Sequence, residues 1–119
     1  MMNFRQAFIA AYYFLDLYYI ETGDEDIADL VSDMNPFLWG DGGSADPAAE
    51  DDWEKVAKAT VDGGSISPQQ AFQVLYNYLK FHTVEFGFNF EWLMEDMLSK
   101  THNTSNWAES VARAMGCLE

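Results

Sequence analysis

Apolar side chains recur along this chain at three- and four-residue steps wherever the pattern is strong, which predicts helices throughout and no convincing strand. Phe4, Phe8, Ala11, Leu15 and Tyr18 form one such stripe, and Phe72, Leu75, Leu79 and Phe86 form another. A shorter run follows each of them. Ile27, Leu30, Val31 and Met34 return as Phe90, Leu93, Met94 and Met97, both at i, i+3, i+4, i+7. Gly23 and Gly87 stand where a left-handed residue ends each long helix.

The two stretches are copies of one pattern. Laying Gln6-Ala7-Phe8 over Gln70-Ala71-Phe72 also aligns Tyr12 with Tyr76, Leu15 with Leu79, Glu21 with Glu85 and Gly23 with Gly87. After a slip of one residue, Leu30, Asp33 and Met34 fall on Leu93, Asp96 and Met97. Residues 6–34 and 70–97 are therefore read as an internal repeat, each copy a long helix, a glycine turn and a short helix.

A further helix is predicted between the copies. Asp46 serves as its N-cap, Pro47 opens it, and Trp53, Val56, Ala57 and Thr60 share one face. Ser67-Pro68-Gln69-Gln70 is a capping box that opens the second copy. A last amphipathic helix carries Trp107, Val111, Ala114 and Leu118 and is expected to stop near Gly116. The fold class that follows is all-α: one domain over 1–119, a five- or six-helix bundle of two pseudo-symmetric helical hairpins with a central linking helix.

Size supports that reading, because 119 residues with 49% apolar content can bury a core without a disulfide or a structural metal. Charge narrows the partners. A formal net charge of −14 opposes contact with nucleic acid or an anionic membrane surface, since both require Lys and Arg. The lone Cys117 excludes an intramolecular disulfide, and the run Phe8 to Leu15 lacks the basic start and cleavage site of a signal peptide. A cytosolic location is expected, and no stretch is long enough for a membrane span.

The acids are unevenly placed. Between Gln6 and Glu54 lie thirteen of the twenty carboxylates and not one Lys or Arg. The repeat offers a control, because Asp24-Glu25-Asp26 corresponds to Phe88-Asn89 in the second copy and Asp29 to Trp92. The fold is therefore not expected to need carboxylates at this turn, beyond the one or two that a helix dipole favours. If the central helix packs beside the short helix of the first copy, Asp24, Glu25, Asp26, Asp29 and Asp33 join Asp41, Asp46, Glu50, Asp51 and Asp52 in one acidic wall. Such a wall steers a basic protein toward it in a salt-sensitive way. Trp39, in the glycine-rich loop Pro36 to Gly43, is the candidate apolar anchor for that partner.

Catalytic and metal-binding patterns are missing. Asp24-Glu25-Asp26 begins like a calcium loop but lacks the oxygen ligand at Ala28, the glycine at Asp29 and the glutamate at Asn35. No Glu-x-x-His occurs, and two histidines with one cysteine do not make a standard zinc site. His82, at the repeat position of Tyr18, reads as a histidine at the core edge, and His102 as a residue of a polar linker. Gly40-Asp41-Gly42-Gly43 and Gly63-Gly64 lack the lysine of a phosphate loop. No cofactor, no metal and no catalytic residue is assigned, and the chain is not expected to be an enzyme.

Tyr18-Tyr19-Ile20-Glu21-Thr22-Gly23, running into Asp26-Ile27 and Leu30-Val31-Ser32-Asp33-Met34, resembles a pattern in small acidic helical proteins of bacterial toxin–immunity loci. Ala45-Asp46-Pro47-Ala48 and Asp51-Asp52-Trp53 add to the likeness. The family is that of the immunity proteins of contact-dependent growth inhibition and related polymorphic toxin systems. This resemblance implies a cytosolic protein that binds and neutralises a cognate, basic, often nuclease toxin domain. The alternative is a structural or adaptor module, a homodimer whose acids serve solubility.

Overall fold

The computed structural model describes residues 2–35, 47–63, 65–99 and 102–117. It contains six helices and, among the described residues, no strand: α1 (Phe4–Thr22), α2 (Glu25–Met34), α3 (Pro47–Thr60), α4 (Pro68–Phe86), α5 (Glu91–Ser99) and α6 (His102–Cys117). Trp39, Asp41, Asp46 and Leu118 lie outside the described residues.

The two long helices are built alike from cap to cap. Each has nineteen residues and opens on a complete capping box, Asn3 with Gln6 in α1 and Ser67 with Gln70 in α4. Two otherwise orphaned backbone donors are thereby satisfied at each start. Gly23 (φ 68°, ψ 17°) and Gly87 (φ 73°, ψ 17°) close them in the left-handed conformation, which glycine adopts without a Cβ penalty.

Burial around α1 exceeds a single stripe. Ala7, Phe8, Ile9, Ala10 and Ala11 are all buried in succession, so the helix is enclosed on every side there, packed by α6, α2, α3 and α4. The alanines let those neighbours approach closely. In α4, by contrast, Ala71, Val74, Leu75, Tyr78, Leu79 and His82 form one inward face at helical spacing. Phe86, counted in that face from its spacing, is instead 58% exposed. The last helix, expected to stop near Gly116, runs to Cys117, and the φ of Gly116 is not positive.

The third helix of each half shows that the duplication extends beyond the hairpins. Trp53 of α3 donates its indole N–H to the carbonyl of Phe4 (3.0 Å), and Trp107 of α6 donates to that of Pro68 (2.8 Å), the first residues of α1 and α4. The rings repeat the relation. Trp53 lies edge-on between Phe8 (5.8 Å) and Tyr78 (5.1 Å), Trp107 between Phe72 (5.4 Å) and Phe14 (5.5 Å). Phe8 and Phe72 are counterparts, as are Phe14 and Tyr78, so each indole touches its own copy and the other. Correspondingly, α6 packs chiefly on α1 and α3 chiefly on α4. The unit is α1-α2-α3 repeated as α4-α5-α6, crossed over at the third helix.

Candidate functional site

α2 and α3 pack against each other and carry most of the described acids singled out above. Glu25, Asp29, Asp33 and Asp51 are exposed, and Asp52 is half-buried. Asp24, Asp26 and Glu50 make defined contacts within the fold. Asp24 is the N-cap of α2, its carboxylate accepting from the Ile27 N–H at 3.0 Å. Asp26 accepts the backbone N–H of Asn89 at 3.0 Å and so ties α2 to the turn before α5. Glu50 forms an ion pair with Arg5 across α1 and α3. Asp24 and Asp26 are thus the one or two acids this turn was expected to allow, but they act through a cap and a hydrogen bond to Asn89 and not through the helix dipole alone. The second copy has a longer turn here, with α5 starting four residues after its glycine and α2 only two.

Asp33 and Asp52 converge on one cleft of about 360 Å³, walled by Leu30 and Asp33 of α2, Ala48, Ala49 and Asp52 of α3, and His82, Phe86 and Phe88 on the third side. Helical geometry puts them there. Leu30 and Asp33 are three residues apart on one face of α2, Ala48 and Asp52 four apart on α3, His82 and Phe86 four apart on α4. Among the described residues, no Lys or Arg lines it.

His82 is buried, with 6% of its surface exposed. Its Nδ1 lies 3.0 Å from the Tyr78 carbonyl; a carbonyl only accepts, so Nδ1 carries the proton and Nε2 the lone pair of the neutral ring. Burial is the largest influence and holds the imidazole below its ordinary value of 6.5, while the Tyr78 hydrogen bond, then Asp52 and Asp33, pull it back. Tyr78, Phe86 and Phe88 surround the ring at 4.4, 5.2 and 6.0 Å.

In the other half the equivalent side chains are in contact with each other. Tyr18, the counterpart of His82, donates its hydroxyl to Asp96, the counterpart of Asp33, at 2.6 Å. Trp92 packs beside it with centroids 6.4 Å apart. In the first copy Trp92 is replaced by Asp29, an exposed carboxylate too small to cover the position. Histidine for tyrosine and aspartate for tryptophan thus distinguish the cleft from its counterpart, where the Tyr18 hydroxyl meets Asp96 beside Trp92. Sequence reasoning placed His82 at the core edge and did not find the cleft. The signal was present in those two divergent pairs, but reading it required knowing that α2 of one copy meets α4 of the other.

Among the described residues, no three His, Cys, Asp or Glu side chains come together to hold a metal ion, and no helix is long and apolar enough to cross a membrane. No protein-family model, curated protein or solved structure matches the chain.

Proposed function

We propose that this chain is a stoichiometric binding protein that captures a basic protein domain, in the manner its resemblance to toxin-immunity proteins implies, and has no turnover chemistry of its own. The observation that carries this reading is the meeting of α2 and α3 acids at one cleft that, among the described residues, no Lys or Arg lines. Glu25 and Asp29 on α2 and Asp51 on α3 add exposed negative charge on the same two helices. Carboxylates so placed pair with the Lys and Arg that a nuclease uses on phosphates, covering its substrate surface.

The test is calorimetric titration with the toxin domain encoded directly upstream, at low and high ionic strength. Salt-sensitive binding is expected, with the triple variant Glu25→Gln, Asp29→Asn, Asp51→Asn weaker and its salt dependence flatter. These three acids are chosen because Asp24, Asp26 and Glu50 carry structural contacts. Absence of binding, or an affinity indifferent to both salt and the substitutions, overturns the reading.

A further inference from the structure

Near their C-terminal ends, α1 and α4 carry matching outward patches. Ile20 lies four residues after Asp16 and three after Leu17, so these side chains share one patch of helix surface. Their counterparts Lys80, Phe81 and Val84 make the same patch on α4. Ile20 is 72% and Val84 70% exposed, the most exposed large apolar side chains among the described residues, and Leu17 and Phe81 are half-buried. A β-branched residue in a helix gives up rotamer freedom, and at these positions it buries little in return, yet both copies place one there.

The charged corner is where the patches differ, with a carboxylate at Asp16 and an ammonium at Lys80. Neither makes a hydrogen bond or an ion pair among the described residues, whereas Arg5 and Lys58 are paired with Glu50 and Glu54, and Arg113 stands over the Tyr13 ring at 4.2 Å. Glu21 and Glu85, exposed beside the patches, carry the same sign in both copies, so the opposition in charge lies at Asp16 and Lys80. Patches of similar apolar content and opposite charge complement each other. Both are exposed, so they do not meet within one molecule, and a second copy is the partner that necessarily offers both signs at equivalent positions.

We propose that the protein forms a reciprocal dimer in which the α1 patch of each copy lies on the α4 patch of the other, Asp16 pairing with Lys80 of the second copy and Ile20 packing against its Val84. Such a contact is isologous, each copy giving and receiving the same pair. Residues four apart form the ridges by which helices interlock, and Asp16 with Ile20 and Lys80 with Val84 are such rows. The apolar side chains supply the attraction and the ion pair the register, since an exposed pair alone contributes little. The dimer is independent of the toxin reading and uses neither the cleft nor the acids of α2 and α3.

The experiment is sedimentation equilibrium of the full chain at physiological ionic strength, over an about hundredfold range of concentration around ~0.1 mM, where a contact this small is expected to dissociate. The mass is expected to rise from monomer to dimer across that range. Asp16→Lys and Lys80→Asp are each expected to weaken the dimer about tenfold by setting like charges opposite one another, and the double exchange to restore it to within about threefold. Asp16→Lys also lowers the net negative charge, so association governed by general repulsion would strengthen in this variant. Val84→Thr keeps the branched shape but places a hydroxyl in the contact, and is expected to weaken the dimer about threefold. Circular dichroism of each variant checks that the helices are retained, as expected at exposed positions. A monomer at every concentration overturns the proposal, as does a dimer that either charge reversal leaves unchanged or strengthens, or one that the double exchange fails to restore.

Discussion

Met2 and Ile66 exchange both of their backbone hydrogen bonds, Met2 N–H to the Ile66 carbonyl at 2.9 Å and Ile66 N–H to the Met2 carbonyl at 2.8 Å. They are counterparts in the two copies, each two residues ahead of the first residue of its long helix. Equivalent residues that contact each other reciprocally lie on a two-fold axis. The axis therefore passes between the starts of α1 and α4, and Trp53 and Trp107 sit on either side of it.

That symmetry makes the two tryptophans energetically comparable. Trp53 is 1% and Trp107 6% exposed, and each combines one indole hydrogen bond with two edge-on ring contacts. Replacement of either by Ala is expected to cost about 3–5 kcal/mol, and by Phe about 1–3 kcal/mol. Urea unfolding followed by circular dichroism measures both. A large loss for one and almost none for the other would show that the crossed packing is not shared.

The glycine caps provide a second matched pair. A Cβ added at Gly23 or Gly87 meets no atom within 4 Å, so only the backbone opposes it. Gly23→Ala and Gly87→Ala are each expected to destabilise by about 1–2 kcal/mol, the cost of a left-handed non-glycine residue, and to be additive. Thermal unfolding of the singles and the double tests this. A neutral substitution would mean that the helix end rearranges to avoid the strain.

Acids within a single turn should divide into two kinds. Asp24→Ala removes a cap and is expected to cost about 1 kcal/mol. Asp26→Ala removes the bond to Asn89 and is expected to cost a similar amount, about 1 kcal/mol. Asp29→Asn and Asp51→Asn, at exposed positions without such contacts, are expected to change stability by less than about 0.5 kcal/mol. Chemical denaturation midpoints separate the groups, and a uniform response across the four would refute the division.

His82 gives the fold a pH dependence of defined sign. The charged groups facing it are Asp33 from α2 and Asp52 from α3, yet burial dominates and holds its proton affinity below the ordinary 6.5. Below that value the unfolded chain takes up a proton that the folded chain still refuses, so stability falls with pH through this window, levels off once the folded imidazole is charged, and is unaffected above it. Unfolding free energies measured from pH 7.5 down to 5, for the native chain and His82→Gln, are expected to differ in slope. Identical slopes would show that the ring is charged at no cost in the folded state.

Much of the fold was legible because local signals agree with tertiary packing. Gly23, Gly87, the Ser67–Gln70 box and the 3.6-residue spacing mark the helix ends and faces without reference to neighbours. The kinship of α3 and α6 was hidden because different connections precede them, residues 35–46 in one copy and 100–101 in the other, which shifts the alignment away from the step that relates Phe8 to Phe72. The contacts of Asp24 and Asp26 were not legible for a different reason: α5 starts four residues after its glycine and α2 two, so the two turns are not built alike and the second copy is no control for the first. The cleft is assembled from three helices and a turn, and no spacing along one chain segment encodes it.

Crossing the third helices also decides how the halves depend on one another. A single copy, α1-α2-α3 alone, would expose the rings that the opposite tryptophan covers and would lack half of its own tryptophan's cage. Such a unit is complete only as a pair of identical chains, whose assembly would vary with dilution. Joining the copies in one polypeptide replaces that concentration dependence with a fixed, high local concentration of the second half, and frees one of two formerly identical pockets to diverge.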